Sequence, residues 1–372
     1  MKAAPTTPPK AAAAFERTDD EAVQAQAAIL LSVGAQLRGD RAALQGVTAA
    51  AAQPTDMFTQ ETLEEFPIPR LAPAVRRVSG RVALRERHAV TAVAAAATPK
   101  KLSEMADDLY QTRSTTSAAA LAEAAMKHRH ALVRVAAAHA ALAVTTETAE
   151  AYAVLVKGTQ NKDELVRDVA ATALARYRPD DPALRKLVKE PPKPARRRAH
   201  TSTLVHGTWA ANGTWWRPGG DFFKYIDPNV WNDLYKQNDF YRWSGGYSIG
   251  ARDQGADLLV AWIQSHNANN LSFMAHSHGG SVGMLASWRG VNFNKVVLLS
   301  CPVHPSTYNM SFAAVQRVVS IRVKMDLVLI ADRSGQRFSD SRYNDHVLPI
   351  WFNHSATHDP AVWQQYNIPA ML

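Results

Sequence analysis

Asn270-Leu271-Ser272-Phe273-Met274-Ala275-His276-Ser277-His278-Gly279-Gly280 decides how this chain folds. The apolar run Leu271 to Ala275 predicts a short buried strand, and the small and apolar residues Ser281 to Trp288 predict a helix. A strand that passes directly into a helix must reverse in a tight turn. The serine at its apex then sits at strained dihedrals, so the positions two before and two after it must be small. Ala275 and Gly279 fill them. Such a turn lifts the Ser277 hydroxyl clear of the sheet and aims the following amide, that of His278, at the same space.

Outward from this turn, strands and helices alternate. Val296-Val297-Leu298-Leu299 and Val319 to Met325 predict buried strands, and Gly250 to His266 and residues 308–317 predict helices. Thr203-Leu204-Val205 predicts a strand running into His206-Gly207, and Tyr241 to Gly245 another strand. A last strand is expected at Val347 to Phe352. This alternation implies a mostly parallel sheet covered by helices on both faces. The segment Ala275-His276-Ser277-His278-Gly279-Gly280 resembles the Gly-His-Ser-x-Gly-Gly nucleophile elbow of the α/β-hydrolase superfamily, particularly its lipase-like members. The one departure is Ala275 in the first glycine place. The resemblance covers residues 200–372 and implies an α/β-hydrolase fold acting on an ester, lipid or other acyl substrate.

A serine needs a base, and the base an orienting carboxylate. The order that the resemblance implies is serine, acid, histidine. Residues 200–372 contain no glutamate, so the acid is one of Asp326, Asp332, Asp340, Asp345 and Asp359. Asp326 stands at a strand end in an Asp-x-Val turn like that of the family and is the expected acid, with Asp332 the alternative. Of the later histidines, His346 opens a strand, at the wrong end of the sheet. His354 follows that strand at its carboxyl end, where ligands gather in open α/β sheets. His358 precedes Asp359-Pro360, a helix cap and first turn. His354 is the expected base and His358 the alternative. The resemblance also implies an oxyanion hole from the amides of Thr208 and His278, with His206 holding its loop by hydrogen bonds. The aromatic stretch around Trp215-Trp216 either lines an acyl pocket or packs the core.

Composition changes near residue 200. All nine tryptophans lie beyond it, while residues 1–199 are alanine-rich and hold 29 Lys/Arg against 22 Asp/Glu. The formal net charge is +9, yet its basic residues are dispersed apart from Arg196-Arg197-Arg198. That pattern suits a solvated surface better than a nucleic-acid site, and none is expected. Residues 1–19 are expected to be disordered and residues 20–189 helical. Leu132-Val133-Arg134 and Leu165-Val166-Arg167, 33 residues apart and each followed by alanines, resemble the second helix of HEAT-type repeats. Proline-rich residues 190–199 read as a linker, leaving residues 200–372 as a self-sufficient catalytic domain. No run reaches the length of a membrane span and no signal peptide is evident. The single cysteine, Cys301, excludes an internal disulfide and fits a reducing, cytoplasmic setting. No metal or cofactor is expected: His128, His130 and His139 lack a carboxylate or cysteine to complete a ligand set. A protein partner, if there is one, belongs to the helical half. The contrasting reading is a helical-repeat interaction protein whose hydrolase-like domain binds without turnover.

Overall fold

The computed structural model describes residues 12–44, 60–71, 101–144, 149–189, 202–268, 270–304 and 307–372. The expected linker at 190–199 lies outside them. The chain divides into two compact units, Pro179–Asp326 with Ser334–Leu372, and Thr6–Arg178 with Leu327–Arg333.

The second of these units is helical. Its helices are α1 (Asp20–Leu44), α2 (Gln60–Glu65), α3 (Leu102–Thr112), α4 (Thr115–Ala125), α5 (Ala131–Val144), α6 (Ala149–Gly158) and α7 (Glu164–Tyr177). Helices α3 to α7 pack one on the next, and α1 runs along α5. Alanine lines these contacts: Ala136, Ala137, Ala138, Ala140, Ala170, Ala171 and Ala173 are all fully buried, which lets the helix axes approach closely. The two Leu-Val-Arg segments fall on α5 and α7, which touch each other. Asp163 starts α7 by accepting the Val166 N–H at 3.2 Å. Ala12–Glu16, within the stretch expected to be disordered, forms a 3-10 turn on α3. Ala14 there is buried and accepts the Gln26 side-chain amide at 2.7 Å.

The other unit is built on five parallel strands in the order of the chain: β1 (Ser202–Val205), β2 (Leu271–His276), β3 (Phe293–Leu299), β4 (Val315–Lys324) and β5 (Tyr343–Trp351). Before β1 comes the short α8 (Pro182–Arg185), and α9 (Asp221–Asn229), α10 (Ile249–His266) and α11 (Gly279–Ser287) follow it. The alternation of strand side chains sorts them onto two faces. Phe273, Ala275, Val296, Leu298 and Val318 pack with Leu259, Trp262 and Ile263 of α10 and Val282 and Met284 of α11. Met274, Val297, Leu299, Ile321 and Leu348 pack with Phe222 and Ile226 of α9 and with Val362 and Trp363 of α13 (Pro360–Gln365). Both faces are therefore dry. Removing one such side chain, Phe273 for example, would cost about 3–5 kcal/mol. This is an α/β architecture with a parallel sheet.

Two expected elements differ. Tyr241 to Gly245 is extended loop, not strand. Tyr241 and Trp243 are buried with half-buried Phe240 and Arg242 around them, so the period of two is present without a ladder. Residues 308–317 contain only the 3-10 turn Phe312–Ala314, and Val315 already begins β4. The β-branched Val315, Val318 and Val319 pair in register with β3, which outweighs the helical bias of the two alanines before them. The segment after Asp326, α12 (Leu327–Asp332), belongs to the helical unit, where it packs on α1 and α7.

Candidate active site

Four of the five strands end in the same way. The residue after each, Ser277, Ser300, Met325 and Phe352, has a positive φ of 51°, 44°, 50° and 68° respectively. None is glycine, so each turn carries the strain of a side chain in the left-handed region. The turns lock together. The Ser277 N–H donates to the Leu299 carbonyl at 2.8 Å, Ser300 to Ile321 at 2.9 Å, and Phe352 to Lys324 at 2.9 Å. Each strand end is thus tied to the last residues of its neighbour, and the carboxyl edge of the sheet is level. Ser277, Asp326 and His354 all leave from that edge: Ser277 directly after β2, Asp326 two residues after β4, His354 at the start of the turn His354–His358 after β5.

Asp326 and His354 meet. The His354 Nδ1–H donates to the Asp326 carboxylate at 2.7 Å, and both side chains are buried. With Nδ1 engaged there, Nε2 is the ring nitrogen left for another partner. The loop carrying His354 is also joined to the residue before the serine, since the His276 Nε2 lies 3.2 Å from the His354 carbonyl and the two rings are 4.4 Å apart. Burial, and then the neighbouring His354 and His358, hold His276 well below the usual histidine range, so it is neutral.

The other candidate acids have different work. Asp332 ends α12 and lies 3.9 Å from Arg176 of α7. Asp340 pairs with Arg342 at 2.9 Å, Asp345 is gripped by both arms of Arg322 at 2.8 and 2.7 Å, and Asp359 caps α13 through the Ala361 N–H at 2.8 Å. Asp326 alone of the five meets His354. His346 sits within β5, opposite Ile321. His358 lies flat on Trp215, with ring centres 4.1 Å apart, and burial pushes its pKa down to about 3. It is a neutral stacking partner.

The loop after β1 closes over the serine. A Cβ added to Gly207 would stand 2.7 Å from the Ser277 Cβ and 3.0 Å from the His276 carbonyl, so only glycine lets the loop come this near. From the other side, a Cβ on Gly279 would stand 2.4 Å from the His206 carbonyl. His206 is fully buried, its ring nitrogens 2.8 Å from the Gly207 carbonyl and 3.2 Å from that of Trp243, and burial lowers its pKa to about 4. The Trp243 indole N–H returns a bond to the His206 carbonyl at 2.9 Å. Next in the chain, Thr208 is buried with a hydroxyl that has no hydrogen-bond partner. Among the described residues, no group of three or more histidine, cysteine, aspartate and glutamate side chains could hold a metal ion.

No protein family and no curated protein matches the chain. A solved structure that does match is the crystal structure of Aspergillus fumigatus lipase B, at 13% identity, over 70% of this chain and 77% of that one, with a TM-score of 0.26. The α/β fold rests on the sheet itself.

Sequence reasoning named no partner for three residues that border this site. Trp215 stacks on His358, His276 bonds the loop that carries His354, and Arg252 reaches the His278 ring. The aromatic stretch around Trp215 carried a signal, a pocket lining or core. Arg252 carried none, because nothing in the spacing of a helix's first turn names its partner 26 residues later.

Proposed function

We propose that the chain is a serine hydrolase of the α/β-hydrolase type, cleaving an ester or other acyl bond. Ser277 is the nucleophile, His354 the base and Asp326 its orienting acid. The serine Oγ attacks the acyl carbonyl carbon while its proton passes to His354 Nε2, and the imidazolium is stabilised by the Asp326 carboxylate. The oxyanion of the tetrahedral intermediate is received by the Thr208 and His278 amides. Collapse expels the leaving group, which takes the proton from His354, and leaves an acyl-serine. Water, deprotonated by the same histidine, then attacks that ester. As the second tetrahedral intermediate collapses, His354 returns the proton to Ser277 Oγ and the acid is released. The observation that carries this reading is the buried 2.7 Å pair of Asp326 and His354 on the sheet edge that also bears the strained Ser277. The carboxylate fixes Nδ1 as the donor and stabilises the imidazolium that forms when Nε2 takes the serine proton.

The helical region is proposed to be a HEAT-like partner surface, supported by the two similar segments on α5 and α7. The hydrolase reading is tested by labelling with a fluorophosphonate probe, which reacts only with an activated serine. Wild-type protein is expected to label and to hydrolyse p-nitrophenyl butyrate. Ser277→Ala is expected to do neither while its circular dichroism stays unchanged. Labelling or hydrolysis at wild-type rate in that variant refutes the assignment.

A further inference from the structure

Against the side chain of His278, the residue after Ser277, lies a buried cation that has no counter-ion among the described residues. Arg252 opens α10 and is 5% exposed. Its Nη1 lies 2.7 Å from Nδ1 of His278, the residue after Ser277. The Tyr247 and Tyr308 rings cover the guanidinium, 5.4 and 5.0 Å from its centre. Its Nε is buried and has no hydrogen-bond partner. Among the described residues no carboxylate pairs with it. The two aspartates on the same helix, Asp253 and Asp257, both bind Arg289 instead.

The helix itself makes matters worse. Arg252 stands in the first turn of α10, at the positive end of the helix dipole, and that turn contains no acidic residue. The amino end of α11, capped by His278, adds a second positive helix end. Arginine is a permanent cation, and one taken out of water without an anion is strongly disfavoured. Tyrosine faces and the His278 ring offset part of that cost. They leave a planar donor unused, of the kind that suits a carboxylate or phosphate.

We infer that the serine site takes acyl substrates bearing an anionic oxygen group, carboxylate or phosphate, a few bonds from the scissile carbonyl, and that Arg252 binds this group. The inference rests on the hydrolase reading above. It differs from a purely structural role, in which Arg252 steadies His278 and the elbow for every substrate alike.

Two matched pairs of esters separate these roles. One is p-nitrophenyl hydrogen glutarate against p-nitrophenyl methyl glutarate, for a carboxylate. The other is 1-butyrylglycerol 3-phosphate against 1-butyrylglycerol, for a phosphate. The readout is the ratio of kcat/KM, anionic over neutral. In wild-type protein that ratio is expected to be about 10- to 100-fold for at least one pair, which also identifies the anion. In Arg252→Gln it should fall to near one, and Arg252→Lys should retain part of it. Should Arg252→Gln fail to fold, Arg252→Lys and competition of wild-type labelling by glutarate or inorganic phosphate still decide the matter. Wild-type ratios near one, or equal loss on both members of each pair in the variants, overturn the inference while fluorophosphonate labelling of Ser277 leaves the hydrolase reading standing. If Ser277 neither labels nor turns over any of the four esters, the hydrolase reading fails and this inference falls with it.

Discussion

At the scale of single residues, the candidate site separates two histidines that look alike in the sequence. His354 has a carboxylate on Nδ1, and His358 has an indole on its face. Loss of a triad member costs about four to six orders of magnitude in turnover, because the remaining members act as one unit. His354→Ala is therefore expected to abolish fluorophosphonate labelling. Asp326→Asn should join it, since an amide can no longer hold the Nδ1–H tautomer. His358→Ala removes ring contacts with Trp215, Phe222 and His276 near the loop that carries His354 and should cost on the order of ten- to a hundred-fold, the size of a small misplacement. Labelling rates of the three variants check this, and a dead His358→Ala beside a normal His354→Ala reverses the assignment. The chain order that the resemblance implies, together with the strand ends, pointed in the sequence to Asp326 and His354, which the structure brings together. What sequence could not show is why the alternatives are occupied elsewhere, as Asp332 is with Arg176 or Asp345 with Arg322. Those partners are distant in the chain.

At the scale of elements, the site is made by how strands end. A left-handed residue after each of β2 to β5 needs no glycine here, so it leaves no compositional trace. The strands themselves were legible from their apolar runs, and the turn at Ser277 from its small flanks. Tyr241 to Gly245 misled because its aromatic side chains alternate in burial without a neighbouring strand to bond. The β1 loop approaches the turn at Ser277 closely, at Gly207. Gly207→Ala would put a methyl group 2.7 Å from the Ser277 Cβ. Either the loop or Ser277 must shift. Overpacking of this kind costs about 1–3 kcal/mol in stability, and a displacement near one ångström costs about a hundred-fold in rate. The variant is expected to fold, with a lowered Tm, and to lose about two orders of magnitude in kcat/KM for p-nitrophenyl butyrate. Wild-type kinetics there would mean that the loop does not press on the serine.

At the scale of the whole molecule, the proline-rich stretch before residue 200 suggests a chain that could be cut there. The two compact units are not two consecutive pieces, however, because α12 lies with the helical one. Leu327-Val328-Leu329-Ile330-Ala331 is as apolar as a core strand, and periodicity alone cannot say which core such a run will join. It packs on α1 and α7, with Leu327, Leu329 and Ile330 buried to 0, 1 and 0% exposure. The run begins one residue after Asp326, so its anchorage bears on the candidate acid. A fragment of residues 179–372 keeps α12 but loses both helices that cover it. Exposing three large aliphatic side chains removes about 1.5–3 kcal/mol of burial for each, and leaves a contiguous apolar patch. The fragment is expected to aggregate or to unfold without a cooperative transition, and to lose fluorophosphonate labelling. Replacing residues 327–333 in that fragment by a Gly-Ser segment should restore solubility without restoring labelling, because the turn that carries Asp326 would then be held from one side only. A soluble, labelling-competent fragment of residues 179–372 would show that α12 needs no helical partner and that the half carrying the parallel sheet folds alone.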